Sequence, residues 1–143
     1  MSLVPTRFPR GTAQALALKP ATKIKSRAFR MKTFPDFMKS PVNKVDASQQ
    51  NTADIESYYF QGADDTQIAF WECHAERISK KHTHPFDEYM ICISGEYTAY
   101  LGENEIILKP GDELYIPKGT EQWGKCVAGT RTIHAFGGKR IKG

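Results

Sequence analysis

From about Ile55 onward the chain breaks into short runs rich in β-branched and aromatic residues, each closed by a turn signal: SYYFQG, TQIAFWECHAERI, EYMICISG, EYTAYLG, NEIILKPG, DELYIPKG, QWGKCVAG and TRTIHAFGG. Runs of this kind repeating every ~8–12 residues are the pattern of an all-β sandwich or barrel. The period inside them is close to two. Tyr97, Ala99 and Leu101 share one face, and Ile106 and Leu108 alternate with Ile107 and Lys109 before a Pro-Gly turn. No segment of adequate length carries apolar residues at i, i+3, i+4 and i+7, and there is no fixed-period repeat.

A chain of 143 residues, 40% hydrophobic and 25% charged, suits one domain with one core. Five of the eight prolines fall in residues 1–55, so that stretch reads as an irregular arm with a short helical turn near DFMKS. Charge divides the chain as well. Eight of the twenty bases and none of the sixteen acids precede Asp36, which leaves residues 36–143 at a formal −4 despite the overall +4. The expected division is therefore a basic N-terminal extension, 1–35, and a single barrel domain, 36–143, with its core at about 56–137. Three readings of the basic head are open: an organelle transit peptide, an anion-binding arm, or residues preceding a start at Met31.

The acidic barrel portion and the missing helix-turn-helix period argue against nucleic acid as a partner. No apolar run approaches the ~18 residues a membrane span needs. Cys73, Cys92 and Cys126 are odd in number, form no C-x-x-C pair and follow no signal-like segment, so a reducing cytoplasm is the expected location. P-loop, G-x-G-x-x-G and G-x-S-x-G patterns are absent.

The chemistry concentrates in KKHTHPFDEYMICISGEY, residues 80–97. On a strand, His82 and His84 project to the same side while Thr83 points away. Pro85 then bends the chain, and the short connection allows Glu88, opening the next strand, to return beside them. Two imidazoles and a carboxylate suit Fe, Zn, Mn or Ni in the divalent state and leave coordination positions open. The alternative is a pair of exposed histidines at a strand end beside a solvated acid.

The spacing continues downstream. His82-x-His84-x3-Glu88-x6-Gly95 and Gly111-x5-Pro117-x-Gly119-x2-Gln122 together resemble the two motifs of the cupin family, over about residues 56–137. The resemblance implies a double-stranded β-helix, that is, a jelly-roll barrel around one metal site, usually in a homodimer. It also implies that His82, His84 and Glu88 are metal ligands and that Gln122 stands where the family has its third histidine. An amide oxygen is a weaker ligand than imidazole, so Gln122 is open to three roles: weak coordination, holding a metal-bound water, or orienting a substrate.

His134 lies in TRTIHAFGG with Thr132 and Phe136 on one face and Arg131, Ile133 and Ala135 on the other. If the first face points inward, His134 is the candidate catalytic acid/base or a replacement nitrogen ligand. Parity from Glu88 and Gln122 also sends Met90, Cys92, Gly124 and Cys126 inward, predicting an apolar pocket of Met90, Cys92, Cys126, Phe136 and one tyrosine or tryptophan. Trp71, Tyr89, Tyr115 and Trp123 are expected in the core or a dimer interface. Two functions follow: a metal-dependent oxygenase, isomerase or lyase acting on a small organic ligand, or a non-catalytic binding or sensor barrel whose metal is structural or absent.

Overall fold

A computed structural model describes residues 31–143. The expected basic extension falls mostly outside the described residues. Nine strands follow in order: β1 (Ile55–Gln61), β2 (Gln67–Cys73), β3 (Arg77–Ile78), β4 (Glu88–Ser94), β5 (Tyr97–Leu101), β6 (Asn104–Leu108), β7 (Glu113–Ile116), β8 (Gln122–Cys126) and β9 (Arg131–Phe136). They form two antiparallel sheets, β1-β2-β9-β4-β7 and β3-β8-β5-β6. Facing sheets built this way make the expected all-β jelly roll. Among the described residues no helix is long and apolar enough to cross a membrane.

Period-two patterning explains the sandwich. In β4, Glu88, Met90 and Cys92 are buried while Tyr89 is exposed; in β9, Thr132, His134 and Phe136 are buried. The face of β9 that carries His134 therefore points inward. Met90, Cys92 and Leu108 form a core cluster, against which Tyr97, Ile106 and Leu114 pack.

Two glycines are required by space. Gly95, at φ 74°, turns the chain from β4 in one sheet to β5 in the other, and a Cβ there would collide with Thr130 Oγ1. Thr130 in turn ties the turn down by accepting from Glu96 N–H at 3.1 Å and donating to Glu96 O at 3.0 Å. Gly124 has no room for a side chain because the Tyr97 phenol lies across it.

Both ends of the described chain are stitched to the larger sheet. Residues 36–39, expected as a short helical turn, form the first of three 3₁₀ turns. Phe34 is buried edge-on against Phe70, and Val45 N donates to Ser57 O at 2.9 Å. At the other end, the buried Gln67 amide clamps the tail: Oε1 accepts from Arg140 N and Ile141 N, and Nε2 donates to Ile141 O, all at 2.8 Å.

Candidate functional site

The sheets part at one end, where β4 and β8 begin and β9 ends, and His82, His84, Glu88, Gln122 and His134 meet in that opening. Glu88 and His134 come from the five-stranded sheet and Gln122 from the four-stranded one. His82 joins Gln122 through a lone antiparallel bridge, each N–H donating to the other's carbonyl at 2.9 Å. The two histidines were expected side by side on a strand. Only His82 makes a bridge; residues 83–87 are irregular, consistent with Pro85 lacking an N–H and restricting its predecessor. The rings nevertheless lie close, with centroids 4.8 Å apart.

Hydrogen bonds fix most of the protons. Glu88 accepts from Gln122 Nε2 at Oε2 and from His134 Nδ1 at Oε1, both at 2.8 Å. Because an ionised carboxylate only accepts, the His134 proton sits on Nδ1, and Nε2 is left to the Thr132 hydroxyl at 2.8 Å. His82 Nδ1 faces Lys80 O at 2.8 Å, so that nitrogen also carries the proton and the Nε2 lone pair is unspent. His84 Nε2 lies 3.7 Å from Glu88 Oε2.

Electrostatics puts the donors in the states a cation needs. Burial lowers His84 to about 4 despite the opposing charge of Glu88, so its imidazole is neutral at pH 7. Burial pushes Glu88 up, yet hydrogen bonds from His134 and Gln122 and the charge of neighbouring histidines outweigh it and hold the carboxyl below its ordinary range. The enclosed chamber they line measures ≈ 20 Å³, room for a water or a single ion. It opens into a groove of ≈ 330 Å³ bounded by His82, His84, Phe86 and Arg140.

Sequence comparison agrees with this architecture: residues 69–131 match the family model described as Cupin domain. Residues 69–131 thus form a cupin domain. No curated protein sequence matches it. Among solved structures it is similar to KdgF from Halomonas sp., at 15% identity and a TM-score of 0.55 over 64% of this chain and 91% of the other. An RmlC-like cupin from Shewanella frigidimarina aligns at 13% identity and TM-score 0.55, over 66% and 92%. The polyketide cyclase RemF from Streptomyces resistomycificus aligns at 15% and 0.56, over 68% and 75%. Identities this low establish the shared fold and leave the activity to the residues of the site.

The cupin pocket differs from the expected one in its walls. Met90 and Cys92 belong to the core beneath it, and Cys126 lies deeper along β8; Phe136, which was expected there, lines the chamber together with both Trp71 and Tyr97. Trp71, expected in the core or an interface, packs 4.6 Å from the His134 ring, and its indole Nε1 is buried without a partner among the described residues. Burial pushes the Tyr97 phenol up, keeping it protonated. Arg140, on the tail, also lines the chamber. Register with β9 would have sent Trp71 inward, since it pairs with Thr132; no local signal places Arg140 there.

A second cluster occupies the outer face of the same sheet. Among the described residues, Glu56, Glu72 and His74 are the one trio of His, Cys, Asp or Glu whose ligand atoms all lie within 4.8 Å, a spacing that could hold an ion. His82, His84 and Glu88 stand wider than that in this conformation. Glu72, however, already accepts from the Thr33 hydroxyl and from Phe34 N at 2.6 Å, with the Lys39 ammonium 3.4 Å away.

Proposed function

We propose that this cupin binds a divalent transition metal, one of Fe, Zn, Mn or Ni, through His82, His84 and Glu88 and holds a small organic ligand against it. The observation that carries the reading is the donor set: two imidazoles, at least one neutral with the other's Nε2 free, and an ionised carboxylate, all facing a chamber the size of one ion. Closing the triad on an ion requires its donors to draw together, and the His82 ring is partly exposed. Gln122 orients the Glu88 carboxylate through its amide N–H, and His134, with both ring nitrogens committed, is assigned the same positioning work from the opposite oxygen. A bound metal would act as a Lewis acid toward a ligand oxygen.

One observation favours the non-catalytic alternative. With His134 engaged at both nitrogens and Gln122 in place of a histidine, the enclosed chamber offers no ring nitrogen beyond the metal-facing pair for moving a proton. Metal content of tag-free protein decides the first step. The parent should carry close to one equivalent, and His82→Ala and Glu88→Ala should lose it; a parent that stays empty after reconstitution with each metal ends the proposal.

Two further assignments belong to this reading. A second copy is the proposed cover for the outer sheet face, where Phe60, Ile68, Ala135, Tyr89 and Tyr115 lie opposite one another in a row across all five strands. Four of these are large and at least 36% exposed. Three buried free thiols support a reducing, cytoplasmic location.

A further inference from the structure

Among the described residues, two donors in the pocket have no acceptor. The Arg140 guanidinium is half-buried at the boundary between chamber and groove, and among the described residues it makes no side-chain hydrogen bond or ion pair. Its own backbone N–H is spent on Gln67. Trp71 Nε1–H, on the wall of the same chamber, is buried and equally unpaired. A buried donor left without an acceptor is costly, and more so when it is charged. A metal ion relieves neither, because it brings no lone pair; a ligand with anionic oxygens relieves both.

The surroundings of Arg140 hold it in place without using it. Gln67, 2% exposed, grips the backbone on both sides of Ile141, itself 2% exposed, while Gln49 repeats the grip at Lys142: its Nε2 donates to Lys142 O at 2.8 Å and its Oε1 accepts from Lys142 N at 2.7 Å. Gly138 lets the tail pass against Phe86, where a Cβ would stand 2.7 Å from the ring. The groove outside carries Lys139, Arg140 and Lys142 and no carboxylate. Lys139 is engaged with Asp65 at 3.6 Å, which leaves Arg140 as the cation nearest the chamber.

We propose that Arg140 anchors the carboxylate of a small organic acid, whose remaining oxygens reach Trp71 Nε1–H and the position flanked by His82, His84 and Glu88. The inference rests on the ligand pocket proposed above and names its substrate class. The planar guanidinium fork matches the flat edge of a carboxylate. The ≈ 20 Å³ chamber is too small for a tetrahedral phosphate, which would stay in the open groove, whereas a carboxylic acid seated in the groove on Arg140 can send a single oxygen inward.

The test titrates malonate, and separately inorganic phosphate, into zinc-loaded and metal-stripped protein by calorimetry, with metal content assayed for every sample. Arg140→Gln is expected to weaken malonate binding roughly 10- to 100-fold in both metal states while metal content stays at the parent's level. Trp71→Phe, which keeps the ring and removes the donor, should weaken it by a smaller factor of about 3–10. Should Arg140→Gln fail to fold, Arg140→Lys keeps the charge, loses the fork and is expected to fall between it and the parent. The inference is overturned if the parent binds no malonate, if phosphate binds more tightly than malonate, or if the Arg140 variants bind malonate like the parent. A parent that takes up no zinc but binds malonate through Arg140 would sink the metal reading and leave this one standing.

Discussion

The five-stranded sheet carries a glutamate-histidine cluster on each face, and the two offset their carboxylate charge in different ways. On the outer face, Glu56 and Glu72 sit directly across from one another, a repulsive pairing that His74, Tyr58 and Lys39 offset. On the inner face, Glu88 is held by an amide and a ring N–H, with no Lys or Arg ion pair among the described residues, while His82 keeps a free lone pair. The outer trio is the tighter of the two, yet it already has its cation in the Lys39 ammonium. Proximity of ligand atoms is thus a poorer guide to a metal than the charge and lone pairs left unspent.

The sharpest way to break that comparison is to truncate the glutamate on each side. Glu88→Ala should abolish metal retention and orphan two buried donors, on His134 and Gln122, at roughly 1–3 kcal/mol each. Glu72→Ala should also destabilise, by about 1–3 kcal/mol through the buried Phe34 N–H, but leave metal content unchanged. Elemental analysis paired with denaturant unfolding reads both effects. Metal lost in Glu72→Ala and kept in Glu88→Ala would move the ion to the outer face.

Much of the inner site was legible because it follows from strand parity. Glu88 and His134 face inward by the same alternation that buries Met90 and Phe136, and the Gly95 and Gly111–Gly119 spacings mark turns that the fold needs. What escaped was set by contacts distant in sequence. Arg140 reaches the chamber because Gln67, 73 residues earlier, holds its backbone N–H. Met90 and Cys92 have the right parity but the wrong depth, and parity carries no information on depth. The outer trio was invisible for the same reason: Lys39 and Thr33 come from an arm with no periodic pattern that could announce where it docks.

Acid should act next most strongly, and through the inner cluster. His84 has a folded value of about 4 against an ordinary value of 6.5, so between those pH values the unfolded chain binds more protons and stability falls as pH falls. A shift of that size corresponds to about 3 kcal/mol at its limit. Glu88, held below its ordinary range in the folded state, adds a loss in the same direction at lower pH. Unfolding free energies of metal-stripped protein measured from pH 7 to pH 4 should show the decline, and His84→Gln should flatten it above pH 5. An unchanged slope in that variant would place the acid sensitivity elsewhere.

Gln122→His asks how near the amide lies to the ion. An imidazole there would add a nitrogen donor at the cost of the hydrogen bond to Glu88, and the net expectation is retention against a chelator prolonged by about tenfold, near 1.4 kcal/mol. Faster loss would mean that holding the Glu88 carboxylate matters more to the site than a fourth ligand.

The smallest energetic effect is expected where the outer face is apolar rather than charged. Ile68 is 43% exposed and lies between Phe60 and the central Ala135 of the cross-strand row, so Ile68→Lys should change the stability of a single chain by no more than about 0.5 kcal/mol. If a second copy covers the row, each substitution is met twice across a two-fold axis, and two lysines are brought into an apolar patch together. Light scattering should then show the parent at twice the chain mass and the variant at one, with metal content equal in both. A monomeric parent would leave the row without the proposed partner and confine the chemistry of this sheet to its inner face.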